Sequence, residues 1–212
     1  MITWGPVALS EIAYQWHKLL GQTYCLRQLS VNTSDCQNIV VTEPPSAFGK
    51  LLKQVVPVNP ILLEPVNKDF AVVIEKIGVN SPVIAGVPVT DPTAYNEALK
   101  SGVAQAAGSA LPSDPRGNVY LFAHSSLNFW QLGQYATVFN LLGKLSAGDK
   151  VHLFYQNQDY VYQVVNREVV AGFNTYPLER RTIEPILTLQ TCDPPGTTIN
   201  RLVVTAKLIQ VV

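Results

Sequence analysis

A mostly β fold is what this chain predicts: a barrel of six to eight strands, mainly antiparallel, with few and short helices. Three observations lead there. Short apolar or alternating runs recur along the chain, the pattern of buried and half-buried strands. Fifteen prolines in 212 residues cut the chain between those runs, and proline belongs at turns and strand ends rather than inside a ladder. Valine, whose branched side chain suits a pleated surface, is abundant.

Composition bounds the function. Hydrophobic residues make up 47% of the chain and charged residues 14%, so it is packed and globular, with room for one or two domains. Fifteen basic residues balance fifteen acidic ones. No basic block or basic–aromatic stripe appears, which argues against a nucleic-acid partner. No run of about 18 apolar residues is present to span a bilayer, and the N-terminus lacks the basic and apolar regions of a signal peptide. Met1-Ile2-Thr3-Trp4-Gly5-Pro6 instead reads as the tail of an upstream membrane segment.

Along the chain three parts are expected. Residues 1–28 form an N-terminal amphipathic helix, helical from Val7 to about Gln28, with Ile12, Trp16, Leu19 and Leu20 on one face. That face either packs on the main domain or lies, with Trp4 and Trp16, at a lipid interface. Residues 29–68 form a proline-rich arm with little regular structure. Residues 69–212 form the barrel. Within it Phe70–Ile77 and Val83-Ile84 are strands, and Thr93–Lys100 is a short helix started by Asp91-Pro92 and closed near Gly102. Asn118–Ala123 is a buried strand. A helix is expected around Thr137–Lys144, then a Gly148-Asp149 turn. Lys150–Gln156 and Tyr160–Val170 form a hairpin about Asn157-Gln158-Asp159. After a loop over 171–185, Ile186 begins a strand that ends at Cys192 against Asp193-Pro194-Pro195-Gly196, and Arg201–Ile209 returns.

The chemistry gathers at two strand ends. Cys25, Cys36 and Cys192 form no CxxC pair, and with three scattered histidines no zinc-ligand spacing arises. Cys25 and Cys36 can form a disulfide outside the cytoplasm; Cys192 is then the odd thiol. A lone cysteine is often a buried hydrophobe, but this one sits between a strand and a tight turn, with Arg201 returning toward it. A thiolate needs such a cation nearby, and a base as well. His17 lies on the N-terminal helix, and His152 alternates with Val151 and Leu153 as a surface strand residue. His124 ends an apolar strand at Ser125-Ser126, and is the candidate.

Thr188-Leu189-Gln190-Thr191-Cys192 followed by Arg201 resembles the active-site signature of the sortases, the cysteine transpeptidases of bacterial surfaces. Ala123-His124 matches the family's Gly/Ala-His context, Leu142–Asp149 its helix and Gly-Asp turn, and Ile77–Ile84 its first-strand region. The similarity covers about residues 70–210. Two departures stand out: Gln105 occupies the place of a non-catalytic histidine in the Gly-x-x-His segment, and the arm lacks the Asp-x-aromatic lid of pilus-building relatives. The Cys-to-Arg spacing lies near the pilin-type and housekeeping branches (class C/E-like or D-like), and the subclass stays open.

The resemblance implies a closed antiparallel or mixed barrel of about eight strands. It also implies cleavage of a Leu-Pro-x-Thr-Gly-like sorting signal after Thr through a thioacyl-enzyme, then transfer to an amine such as a cell-wall precursor or a pilin lysine. Cys192 is then the nucleophile, His124 the general acid and base, and Arg201 the cation at the carbonyl oxygen; Thr191, Ala123 and Ser125 are substrate-binding. No metal or cofactor is implied. The implied location is the extracytoplasmic face of a bacterial membrane. Two rivals share the residues: a cysteine peptidase hydrolysing the same motif, and a non-catalytic surface barrel that binds ligands with Cys192 inert. An L,D-transpeptidase fits less well, because Thr191 rather than a Ser-His-Gly context precedes the cysteine.

Overall fold

The computed structural model describes residues 5–27, 60–125 and 135–212. Its centre is a closed eight-stranded barrel in the order β3-β4-β5-β6-β9-β10-β8-β7. The strands are β3 (Phe70–Ile74), β4 (Val79–Val87), β5 (Val103–Ala106) and β6 (Gly117–Phe122). They continue as β7 (Lys150–Tyr155), β8 (Gln158–Ala171), β9 (Pro185–Asp193) and β10 (Asn200–Val211). The β4–β5 and β6–β9 pairs are parallel, and all the other neighbours run antiparallel.

A parallel pair needs a crossover. Between β4 and β5 it is helix α2, Pro92–Ser101, as expected from Asp91-Pro92. The Asp91 carboxylate accepts from the Thr93 and Ala94 amides, and proline opens the first turn. The helix stops at Gly102, where a Cβ would lie 2.4 Å from the Pro82 carbonyl oxygen. Only glycine lets β5 start so close to β4. Between β6 and β9 the crossover is the β7–β8 hairpin with its flanking loops.

The apolar run Phe70–Ile74 is buried at every position because both its faces are covered. Phe70, Val72 and Ile74 join the barrel interior. Ala71 and Val73 pack outside with Phe154, Leu26 and Leu63. The last two belong to a small parallel ribbon of β1 (Tyr24–Leu26) and β2 (Ile61–Leu63) laid over β3 and β7. So the end of the proline-rich arm does form a strand.

Several boundaries differ from the sequence reading. Helix α1 runs Gly5–Leu20 rather than to Gln28. Gly21, at φ 70°, ends it in a Schellman motif: Gln22 N–H bonds the His17 carbonyl, and Gly21 N–H bonds that of Lys18. The docked face of α1 also differs. Ile12 and Trp16 are 62% and 54% exposed, while Glu11 pairs with Lys144 at 2.8 Å and the Lys144 ammonium lies over the Tyr14 ring. A polar grip won over the apolar stripe. The β3 run breaks at a 3-10 turn, Glu75–Ile77, followed by Gly78 in the left-handed region. The helix expected at Thr137–Lys144 is a series of turns ending in a 3-10 turn at Leu142–Lys144; Thr137, Val138, Phe139, Asn140 and Gly143 are all poor helix formers. The hairpin turns at Gln156 and Asn157, both with positive φ, as a two-residue primed turn requires.

Candidate active site

Register builds the site. Val119 and Leu121 of β6, Leu187 and Leu189 of β9, and Val204 and Ala206 of β10 belong to the barrel core. The alternate residues lie on the opposite face of the sheet, where Tyr120 and Phe122 are buried as well. Tyr120 pairs with Thr188 and Phe122 with Gln190, while Gln190 pairs with Val203 and Cys192 with Arg201. Continued one pleat past Phe122, the parallel register sets His124, Cys192 and Arg201 in one transverse row on three adjacent strands, which are spaced about 4.8 Å apart.

The chain beyond β6 is held in that row by four hydrogen bonds. Ala123 N donates to the Gln190 carbonyl at 3.1 Å, and the Thr191 hydroxyl donates to the Ala123 carbonyl at 2.9 Å. The Ser125 hydroxyl donates to the Cys192 carbonyl at 2.7 Å, and Gly196 N to the Ser125 carbonyl at 2.6 Å. Thr191 and Ser125 are both 3% exposed; their hydroxyls serve the backbone on either side of His124. Ser125 also borders the cavity next to the row, whereas Thr191 and Ala123 do not.

That cavity measures about 570 Å³ and is lined by His124, Cys192 and Arg201 together with Tyr95, Gln190 and Leu178. Its outer wall is the β8–β9 connection, which carries the short helix α3, Tyr176–Glu179. A buried polar network ties this wall to the sheet. Arg180 Nη2 donates to the hydroxyls of Thr188, at 2.7 Å, and Thr205, at 2.9 Å. Thr188 donates to Asn118 Oδ1, and Asn118 Nδ2 to the Pro177 carbonyl. Gly172 N–H bonds the Ile199 carbonyl at 2.9 Å. A Cβ at Gly172 would lie 2.3 Å from the Thr198 carbonyl oxygen, so glycine permits the two loops to meet.

Burial sets the electrostatics. It pushes the Cys192 thiol above its ordinary pKa, with the Arg201 charge pulling the other way. It holds His124 below the usual imidazole value. Both effects favour the neutral forms. His124 Nε2 is buried with no partner among the described residues. Arg201 Nη1 contacts only the carbonyls of Thr198, at 3.3 Å, and Asn200, at 3.1 Å, among the described residues; its charge is unspent.

Tyr95 of α2 also borders the row. Its ring stacks on Phe122 at 5.0 Å and meets His124 edge-on at 6.0 Å. Burial, with a smaller contribution from the nearby Cys192 charge and Arg201 opposing, pushes its phenol pKa up to about 12. An aromatic residue on a short polar helix was the one available signal for Tyr95. The other histidines lie elsewhere. His17 bonds Gln22 Oε1 at 2.5 Å. His152 is 4% exposed, not a surface residue, and pairs with Asp159 at 2.9 Å. Gln105 is buried: its Oε1 accepts from Gly86 N, and its Nε2 donates to Ser109 and Ala110. It is a backbone anchor. The Cys25–Cys36 pairing and the missing lid fall on Cys36 and residues 29–59 of the arm, which lie outside the described residues; Cys192 is a free thiol.

Residues 72–209 match the family model described as Sortase domain. Solved structures share the fold. The sortase C-1 of Actinomyces oris is 28% identical with a TM-score of 0.57, over 68% of this chain and 76% of that one. The pilus-related sortase C of Group B Streptococcus is 28% identical with a TM-score of 0.56, over 70% of each chain. The sortase A of Listeria monocytogenes, 21% identical with a TM-score of 0.55 over 67% of this chain and 87% of that one, shares the fold. No curated protein sequence matches the chain.

Proposed function

This chain belongs to the sortase family, and we propose that it is a cysteine transpeptidase that cuts a Leu-Pro-x-Thr-Gly-like signal after Thr and passes the acyl group to an amine. The observation that carries the residue roles is the row His124–Cys192–Arg201 along the lining of one cavity. Cys192 Sγ, as thiolate, attacks the threonine carbonyl carbon. The carbonyl oxygen takes the negative charge beside Arg201, whose unspent guanidinium fits that role. Collapse breaks the Thr–Gly bond, and His124 gives its proton to the leaving amine, leaving a thioester on Cys192. An incoming amine attacks the thioester, loses a proton to His124 and expels the thiolate.

The competent form needs Cys192 charged and His124 protonated at once, whereas burial favours the neutral pair. Ordinary values alone would leave about 1% of molecules doubly charged, and both shifts lower that share. Thr191 and Ser125 hold the chain around His124 beside Cys192, and Ser125, which borders the cavity, also faces the peptide.

The acceptor is an amine of a cell-wall precursor or a pilin lysine, and the site of action is the outer face of a bacterial membrane. The exposed Leu9, Ile12 and Trp16 on α1 suit a position at the lipid interface. No helix among the described residues is long and apolar enough to cross a membrane.

Intact-mass measurement of the protein with signal peptides tests the acylation step. A thioacyl adduct on wild type that Cys192→Ala lacks is the expected result. Cleavage that persists in Cys192→Ala would overturn the assignment of the nucleophile.

A further inference from the structure

The floor of the cavity carries a polar device that the cleavage chemistry does not use. Gln190 lies two residues before Cys192 on the same face of β9 and lines the cavity with the thiol. At the rise of a strand the two positions are about 7 Å apart. Directly beside Gln190 in the register is Phe122, and one row down are Tyr120 and Thr188. The Tyr120 hydroxyl donates to Gln190 Oε1. Tyr120 is 3% exposed, and burial raises its pKa well above the ordinary phenol value, so it remains a donor over the working range of pH. The contact fixes the amide: the oxygen is engaged by Tyr120, and both N–H groups of Nε2 have no partner among the described residues. Phe122, Leu178 and the Tyr95 ring line the same cavity, and polar lining residues such as Asn96, Asn174 and Thr175 make no hydrogen bond with the Gln190 amide. A pair of oriented, unpartnered donors in a cavity recognises a hydrogen-bond acceptor and discriminates against a group that cannot accept.

We propose that Gln190, oriented by Tyr120, is a specificity-determining residue that donates to a carbonyl or other neutral acceptor of the bound peptide, within two or three residues of the scissile bond on its N-terminal side. The proposal rests on the transpeptidase reading above, because it takes Cys192 as the point where the acyl carbonyl sits. A peptide whose upstream residues run down this face at about 3.3 Å per residue reaches Gln190 about two residues before that carbonyl. The acceptor is either the peptide backbone or a side chain such as Asn or Gln, and the two give different signatures.

The test is the rate of Cys192 thioacyl formation, read by intact mass, across Leu-Pro-x-Thr-Gly peptides varied singly at the three positions before Thr. Wild type is compared with Gln190→Leu, Gln190→Glu and Tyr120→Phe, and melting temperature and iodoacetamide alkylation of Cys192 report an intact site. A side-chain acceptor predicts a preference for Asn or Gln at one position that falls roughly three- to tenfold in Gln190→Leu. A backbone acceptor predicts a uniform loss of similar size over all peptides with the preferences kept. In either case Gln190→Glu, which keeps the bond from Tyr120 but replaces donors by an acceptor, loses at least as much and gains toward peptides with Lys at the same position. Tyr120→Phe loses less, since the donors remain but turn freely. Adducts formed by Gln190→Leu and Gln190→Glu at wild-type rates and with the wild-type profile would overturn the assignment of Gln190 alone. Absence of any Cys192 adduct in the wild type would instead take down the transpeptidase reading and this one with it.

Discussion

Cys192 and His124 are pushed toward neutrality by the same burial, and Arg201 is the one charge in their row that opposes it at the thiol. Because burial holds the thiol pKa above its ordinary value, its alkylation by iodoacetamide should climb with pH through an inflection above that of an ordinary cysteine. Removing a cation that lowers the pKa must raise it, so Arg201→Ala should move that inflection to higher pH; an inflection that stays put would separate Arg201 from the thiol. The same variant should slow acylation by roughly 100- to 1,000-fold, the cost of losing a fixed donor at a developing oxyanion. Tyr95→Phe keeps the ring against Phe122 and His124 and should turn over within a few-fold of wild type. Tyr95→Ala removes the packing that aims the imidazole and should fall by tenfold or more in kcat. Cys192, His124 and Arg201 were legible as residues because each ends or starts a strand at a turn. Tyr95 was not, because its importance comes from what its helix is laid against.

At the scale of the elements, the site depends on β6 and β9 lying side by side in parallel. That pairing could not be read along the chain: strand pattern gives which residues alternate, not which strand becomes the neighbour. The sequence reading had two strand ends in one barrel and no register between them. Thr191 and Ser125, expected from the resemblance to bind substrate, each donate to a carbonyl across that junction. Thr191→Val keeps the shape and strands the Ala123 carbonyl. The expected cost is about 1–3 kcal/mol, a fall in Tm of roughly 2–10 °C, with a larger proportional loss in kcat than in KM. A variant that melts like wild type and turns over like it would show that this hydrogen bond does not matter. Gly172→Ala should part the two loops that form the outer wall, since a Cβ there meets the Thr198 and Ile199 carbonyls. Faster hydrogen exchange confined to the β8–β9 connection is the expected signature.

Across the whole molecule, the barrel was legible because its strands carry their own period and its turns their own punctuation. Closure into a mixed barrel of about eight strands followed from the family resemblance rather than from the strand pattern, and which strands pair in parallel followed from neither, since those pairs join distant parts of the chain. Of the two seats expected for the apolar stripe of α1, packing on the barrel is not the one found for Ile12 and Trp16: Glu11 and Tyr14 grip Lys144 while those two side chains stay exposed. The core behaves as one unit in this account. Leu189 is fully buried in the main cluster, one residue before Gln190. Leu189→Ala should therefore cost about 2–5 kcal/mol and lower a single, cooperative Tm by roughly 5–15 °C; two separate transitions would contradict it. The most direct test of the central claim supplies a Leu-Pro-x-Thr-Gly peptide library together with a glycine-based amine, and compares wild type with Cys192→Ala by mass. The account predicts peptide joined to the amine through its threonine carbonyl with wild type, and none with the variant. Cleaved peptide with water always in place of the amine would contradict transpeptidation and leave a hydrolase.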